Sequence, residues 1–157
     1  MISDPWYSPD IAHLSMNSPL GSLTVFEERG ALVAIEWGRA PDPVPSALLA
    51  ATADQLDAYF GGRLRAFDLP LRPAGTVFQR TVWALMGDIP YGATRTYGGF
   101  ARTLGTAPRP VGGACGRNPI PIVIPCHRVL GAGGAMTGYS GGQGVATKRA
   151  LLRLEAA

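Results

Sequence analysis

Leu71-Arg72-Pro73-Ala74-Gly75 reads as a linker, and it cuts this 157-residue chain into two halves that differ in charge. Residues 1–75 hold five basic and nine acidic side chains, a net of −4, whereas residues 76–157 hold nine basic and two acidic, a net of +7. At this length the chain can hold one ordinary domain, or a small lobe plus a compact functional one, and the linker is read as dividing an acidic lobe, residues 1–72, from a basic domain, residues 73–157. It also points to a polyanion as partner for the second half, against the plainer reading of a loosely basic surface. With 46% of its residues apolar, the chain can build real cores, yet no apolar run approaches the roughly 20 residues of a membrane helix. Met1 to Asp10 carries two aspartates and no basic cluster, so no signal peptide is expected and a reduced, cytoplasmic setting is. Cys115, Cys126, His13 and His127 lack metal-ligand spacing, so neither metal nor cofactor is expected.

In the first half, Ser22 to Phe26 and Ala31 to Trp37 flank the turn Glu27-Glu28-Arg29-Gly30 and predict a β-hairpin. Ser46 caps a predicted helix running to Phe60, where Gly61-Gly62 ends it, and Leu64 to Leu69 is expected as a further strand. This lobe has no chemical constellation, and its expected role is structural.

The second half opens on a capping box, Thr76 to Gln79, which predicts a helix through Met86. Thr96 caps a short helix from Tyr97 to Leu104, Gly105 stops it, and a further helix is expected from Arg109 to Cys115. Two short helices joined by a tight turn fit a helix-turn-helix, or an ordinary helical hairpin in the core. The second helix carries Gly112, Gly113 and Ala114, whose small side chains suit close backbone approach to a narrow groove. Gly131-Ala132-Gly133-Gly134 lacks the remainder of a dinucleotide fingerprint and is not read as one. The last helix, Val145 to Ala156, is expected to turn Leu151, Leu152 and Leu154 inward.

Chemistry concentrates at Pro125-Cys126-His127-Arg128-Val129-Leu130. A thiol attacks only as thiolate, with a free pKa of roughly 8.5, so an adjacent base matters. In an extended strand, however, neighbours point to opposite faces. Either the chain turns at Cys126 or a water relays the proton to His127, and Glu155 is the nearby carboxylate that could orient the imidazole. The alternatives are a satisfied core histidine and a solvated helix end. A cysteine hydrolase would make a thioester that water cleaves; an alkyl acceptor would make a thioether that persists. The basic half favours a nucleic-acid substrate, whose base must leave the stack to react. Arg109, a long cation at the start of the second helix, could fill the gap.

Ile124-Pro125-Cys126-His127-Arg128-Val129 resembles the active-site signature of the methylated-DNA–protein-cysteine methyltransferases, or O(6)-alkylguanine-DNA alkyltransferases. The likeness spans Phe78 to Glu155 and includes Pro90-Tyr91-Gly92, Thr96-Tyr97-Gly98, Arg109-Pro110-Val111-Gly112, Asn118-Pro119, Gly138-Tyr139-Ser140-Gly141-Gly142, and Lys148 with Leu151-Leu152. It implies an α/β (α+β) architecture: a ribonuclease H-like N-terminal lobe and a mainly helical C-terminal domain with a helix-turn-helix. It implies a DNA repair protein, monomeric and associated with the nucleoid. Such a protein moves the alkyl group of O6-alkylguanine, and potentially of O4-alkylthymine, irreversibly to Cys126 after flipping the base through the minor groove of duplex DNA. The resemblance makes His127 the base through water and Glu155 its orienter, with Asn118 the hinge before the active-site loop. Tyr97 and Thr96 would meet the DNA, Tyr97 also protonating the departing guanine. Arg109 would replace the extruded base, with Gly112, Gly113 and Ala114 against the groove, while Tyr139, Ser140 and Val129 would line the pocket. The sequence departs from the family pattern in a shorter stretch from Tyr97 to Arg109, in Ala93 where a glutamate is usual, and in Gly98-Gly99. The zinc ligands that some members carry in the first lobe are absent.

Overall fold

A computed structural model describes residues 10–137, 139 and 141–157. It divides into two compact units, Met1–Arg72 and Pro73–Ala157.

In the first unit, β1 (Ile11–Met16), β2 (Leu23–Glu28) and β3 (Ala31–Trp37) form an antiparallel sheet in that order. Arg29 and Gly30, with φ of 50° and 81°, make the tight β2–β3 turn, a conformation glycine adopts without a Cβ penalty. Strand β1 was not anticipated: its apolar face, Ala12, Leu14 and Met16, alternates with a mixed one, Ile11, His13 and Ser15, over a single short run, and pairing with β2 makes it a strand. Helix α1 (Ala47–Phe60) starts where Ser46 accepts a hydrogen bond from the Leu49 amide, and it buries Leu49, Thr52, Leu56 and Tyr59 in a core with Leu23, Val25, Leu32 and Ile35. The strand expected over Leu64 to Leu69 does not form. The Gln55 side chain occupies both backbone groups of Asp68 instead, and pairing begins only at Leu71, bridged to Leu32.

In the second unit, α2 (Val77–Gly87) begins at the full Thr76–Gln79 capping box. A two-residue strand β4 (Arg95–Thr96) leads into α3 (Tyr97–Leu104), and Gly105, at φ 66°, ends that helix in the left-handed conformation. Helix α4 (Pro108–Gly116) follows after a short turn, and Pro108 opens it in the first turn, where a missing N–H costs nothing. The Trp83 indole donates to the Ala114 carbonyl at 2.8 Å and ties α2 to α4. A 3₁₀ turn over Cys126–Arg128 leads into β5 (Val129–Leu130), which pairs parallel with β4. Helix α5 (Val145–Ala156) closes the unit.

The inward face of α5 differs from expectation. Leu151 is buried, but Leu152 and Leu154 are only half-buried; the stripe that faces the core at three- and four-residue spacing is Thr147, Lys148, Leu151 and Glu155. Two ionisable side chains thus lie inside the basic unit, and the site is built around them.

Candidate active site

The segment from Asn118 to Arg128 is a chain of short turns. Asn118 receives the Ile120 amide on Oδ1 at 2.9 Å and donates from Nδ2 to the Ile124 carbonyl at 2.8 Å, bridging the loop with one amide. Ile122 has φ 74°, a left-handed conformation that a β-branched residue adopts only under constraint. Pro125 then precedes the 3₁₀ turn, which resolves the choice left open above: the chain turns at Cys126. The Cys126 thiol is buried, and burial pushes its pKa up, opposed first by a hydrogen bond from Asn118 and then by the charge of Lys148. It is therefore a protonated thiol near neutrality and depends on a base to react.

The next residue carries an imidazole. His127 is fully buried, and its Nε2 lies 2.6 Å from Glu155 Oε2. Arg128 grips the same carboxylate, Nε donating to Oε1 at 2.7 Å and Nη2 to Oε2 at 3.1 Å, while Nη1 donates to the Ile89 carbonyl, just past α2, at 2.7 Å. With Glu155 held as an acceptor by a permanent cation, the His127 proton belongs on Nε2. Nδ1 is left as the basic nitrogen, and it has no partner among the described residues. Burial lowers the His127 pKa, opposed by the hydrogen bond and charge of Glu155, so the imidazole is neutral and able to accept a proton.

A second polar node lies between α3, β5 and α5. Lys148 is fully buried and donates to the carbonyls of Val129 at 2.6 Å and Thr137 at 2.8 Å. Burial lowers its pKa, the nearby thiols acting in the other direction. The Tyr97 hydroxyl donates to the same Thr137 carbonyl at 3.2 Å, and the Lys148 ammonium stands 5.7 Å from the centre of the Tyr97 ring. Tyr139 is buried with its hydroxyl unpartnered among the described residues, and burial raises its pKa, as it does that of Tyr97. Ser140, expected beside it, lies outside the described residues.

On α4, Arg109 and Gly113 are exposed, Gly112 is half-buried, and an added Cβ at either glycine would meet nothing within 4 Å. Ala114 does not share that open face: its side chain is buried against the core and its carbonyl holds Trp83, because it sits three residues from buried Val111 on the packing side. The expectation that Ala114 meets DNA is corrected accordingly. Thr96 uses its hydroxyl to cap α3 on the Gly99 amide. Both cysteines are free.

Two residues of the site had been given no role from the sequence. Arg128 was visible only as a charge beside the Cys126–His127 pair. Lys148 stands three residues before Leu151 and seven before Glu155, a helical spacing that places all three on one face and could have identified it.

Two family descriptions match the chain: "6-O-methylguanine DNA methyltransferase, DNA binding domain" over residues 77–157, and "6-O-methylguanine DNA methyltransferase, ribonuclease-like domain" over residues 11–73. A Mycobacterium bovis protein named methylated-DNA–protein-cysteine methyltransferase is 45% identical over 155 residues, 92% of each chain. A Methanosarcina acetivorans protein of the same name is 53% identical over 103 residues, 64% of this chain and 65% of that protein. Among solved structures, Mycobacterium tuberculosis O6-methylguanine methyltransferase superposes with a TM-score of 0.82 at 41% identity, covering 93% of each chain. A Mycobacterium tuberculosis relative solved in complex with DNA gives 0.81 at 44% identity, covering 92% of each.

Proposed function

The chain belongs to the 6-O-methylguanine DNA methyltransferase family, and from that premise we propose which of its residues do the chemistry and on what substrate. It is a DNA repair protein whose activity is alkyl transfer from damaged DNA to a cysteine of its own. We assign that cysteine as Cys126 and the substrate as O6-alkylguanine in duplex DNA, with O4-alkylthymine as a second base of the same chemistry. The observation that carries the assignment is the histidine one step beyond Cys126. Its Nε2 is committed to an Arg128-clamped Glu155, and its Nδ1 has no partner among the described residues.

The step balances without a cofactor. The Cys126 proton passes to His127 Nδ1, directly or through one water. The Sγ–C bond forms as the C–O6 bond breaks, and the departing guanine takes a proton from the Tyr97 hydroxyl; water then restores the Tyr97 proton as the His127 imidazolium gives up its own. Glu155 stabilises the imidazolium so formed. A thioether has no hydrolysable bond, so each molecule reacts once. Tyr139 and Val129 bound the pocket, and the buried Tyr139 hydroxyl, without a partner among the described residues, is available to the base. DNA approaches α4 through the minor groove, where Gly112 and Gly113 permit close contact and exposed Arg109 fills the place of the flipped base. The protein acts as a monomer in this scheme, since one chain supplies every group.

Incubation with duplex DNA containing O6-methylguanine should add one methyl group per chain, located by peptide mass spectrometry on Cys126. Cys126→Ser should take up none. Methylation mapping to Cys115, or surviving the Cys126→Ser change, would overturn the assignment.

A further inference from the structure

The Thr137 carbonyl accepts two buried donors, the Tyr97 hydroxyl at 3.2 Å and the Lys148 ammonium at 2.8 Å. Tyr97 cannot stay there and also reach DNA: its hydroxyl has one proton, and that proton is spent on Thr137. Turning the hydroxyl away would ordinarily orphan a buried carbonyl, a penalty worth roughly a factor of ten or more in an equilibrium. Lys148 removes that penalty, because it remains on Thr137 whatever Tyr97 does. A fully buried ammonium is itself expensive, and among the described residues it is met here by carbonyls rather than by a carboxylate, so its placement calls for such a function.

We infer that Lys148 is a positioning residue that keeps the Thr137 carbonyl satisfied while the Tyr97 hydroxyl is released to the DNA. Lys148 also holds the Val129 carbonyl, so it pins the start of β5 to the segment that carries Tyr139 two residues after Thr137. The pocket wall therefore keeps its shape through the release. The inference rests on the assignment of Tyr97 to the DNA made above.

The test is a cycle of Tyr97→Phe, Lys148→Met and the double variant. Single-turnover methyl transfer is followed over a range of duplex concentrations, and urea unfolding is measured for each protein. With Tyr97 present, Lys148→Met should slow transfer at saturating duplex about tenfold, since release now orphans Thr137. The duplex concentration for half-maximal rate should change little. In the Tyr97→Phe background the same change should leave the rate within about twofold, because the carbonyl is then orphaned before and after the step alike. The cost moves into stability, where the double variant should lose more than the two single losses combined. Equal rate losses from Lys148→Met in both backgrounds would overturn the inference. A Tyr97→Phe protein that transfers at the parent rate would instead overturn the Tyr97 assignment. Should Lys148→Met fail to fold, Lys148→Ala, which likewise leaves Thr137 without its ammonium, goes through the same cycle in sucrose, which favours the folded state, and is read the same way.

Discussion

Replacing Arg128 by methionine tests the electrostatic core of the site. The Glu155 side chain is 1% exposed and Arg128 only 7%, so the substitution takes the permanent cation away from a carboxylate in a dry interior. Removing one partner of a buried pair costs about 3–5 kcal/mol, and the Ile89 carbonyl loses its donor for about 1 kcal/mol more, so a loss of roughly 4–6 kcal/mol is expected. Glu155→Gln strands the Arg128 cation and should cost about 3–5 kcal/mol by the same reasoning. The double variant is the informative one. Its glutamine Oε1 still receives His127 Nε2–H, and no charge is left unpaired. It should therefore be destabilised by at least about 3 kcal/mol less than the sum of the single losses. Urea unfolding followed by circular dichroism measures all three. Losses that add to within about 0.5 kcal/mol would refute the view that Arg128 and Glu155 form one charge-balanced unit. Methyl transfer by Glu155→Gln should also fall, by roughly 10²-fold, since the imidazolium formed in the step loses its counter-charge.

Two further outcomes follow from the structure. Stability should peak near neutrality. Burial lowers the His127 pKa, so below about pH 6.5 the unfolded chain binds a proton the folded one resists, and stability drops as pH falls. Burial raises both thiols, Cys115 to about 12, so above about pH 8.5 the unfolded chain releases protons the folded one keeps, at about 1.4 kcal/mol per pH unit per thiol. Urea midpoints from pH 5 to pH 10 give the profile, and Cys115→Ala should flatten its alkaline side; a rising alkaline side contradicts the reasoning. Gly113→Ala should separate fold from function: the added methyl meets nothing within 4 Å in a helix interior, so stability should rise by about 0.5–1 kcal/mol, while affinity for duplex DNA weakens because the methyl stands on the approaching face. Thermal melts and DNA titration check the two halves, and unchanged affinity would move the interface off this face of α4.

Local chemistry was legible wherever it is decided within a few residues. Ser46, the Thr76–Gln79 box, Thr96 and Gly105 marked helix ends in the sequence, and the helices end there, because a cap satisfies backbone groups within one turn. The β2–β3 hairpin followed from its Arg-Gly turn in the same way. Strand β1 and the absence of a strand at Leu64 to Leu69 were not legible, because each is decided by a partner outside the segment itself: β2 for the first, the Gln55 side chain for the second.

The same division runs through the site. The adjacent thiol and imidazole, and the basic half around them, are properties of the sequence by itself. That Cys126 turns rather than extends, that His127 leans on Glu155 across 28 positions, and that Arg128 and Lys148 lie buried on carboxylate and carbonyls were decided only by the tertiary structure. The physical reason is that hydrophobic patterning predicts charged residues outward and leucines inward. A buried ion becomes affordable only when its partners arrive from other elements, and which partners arrive is a property of the folded chain.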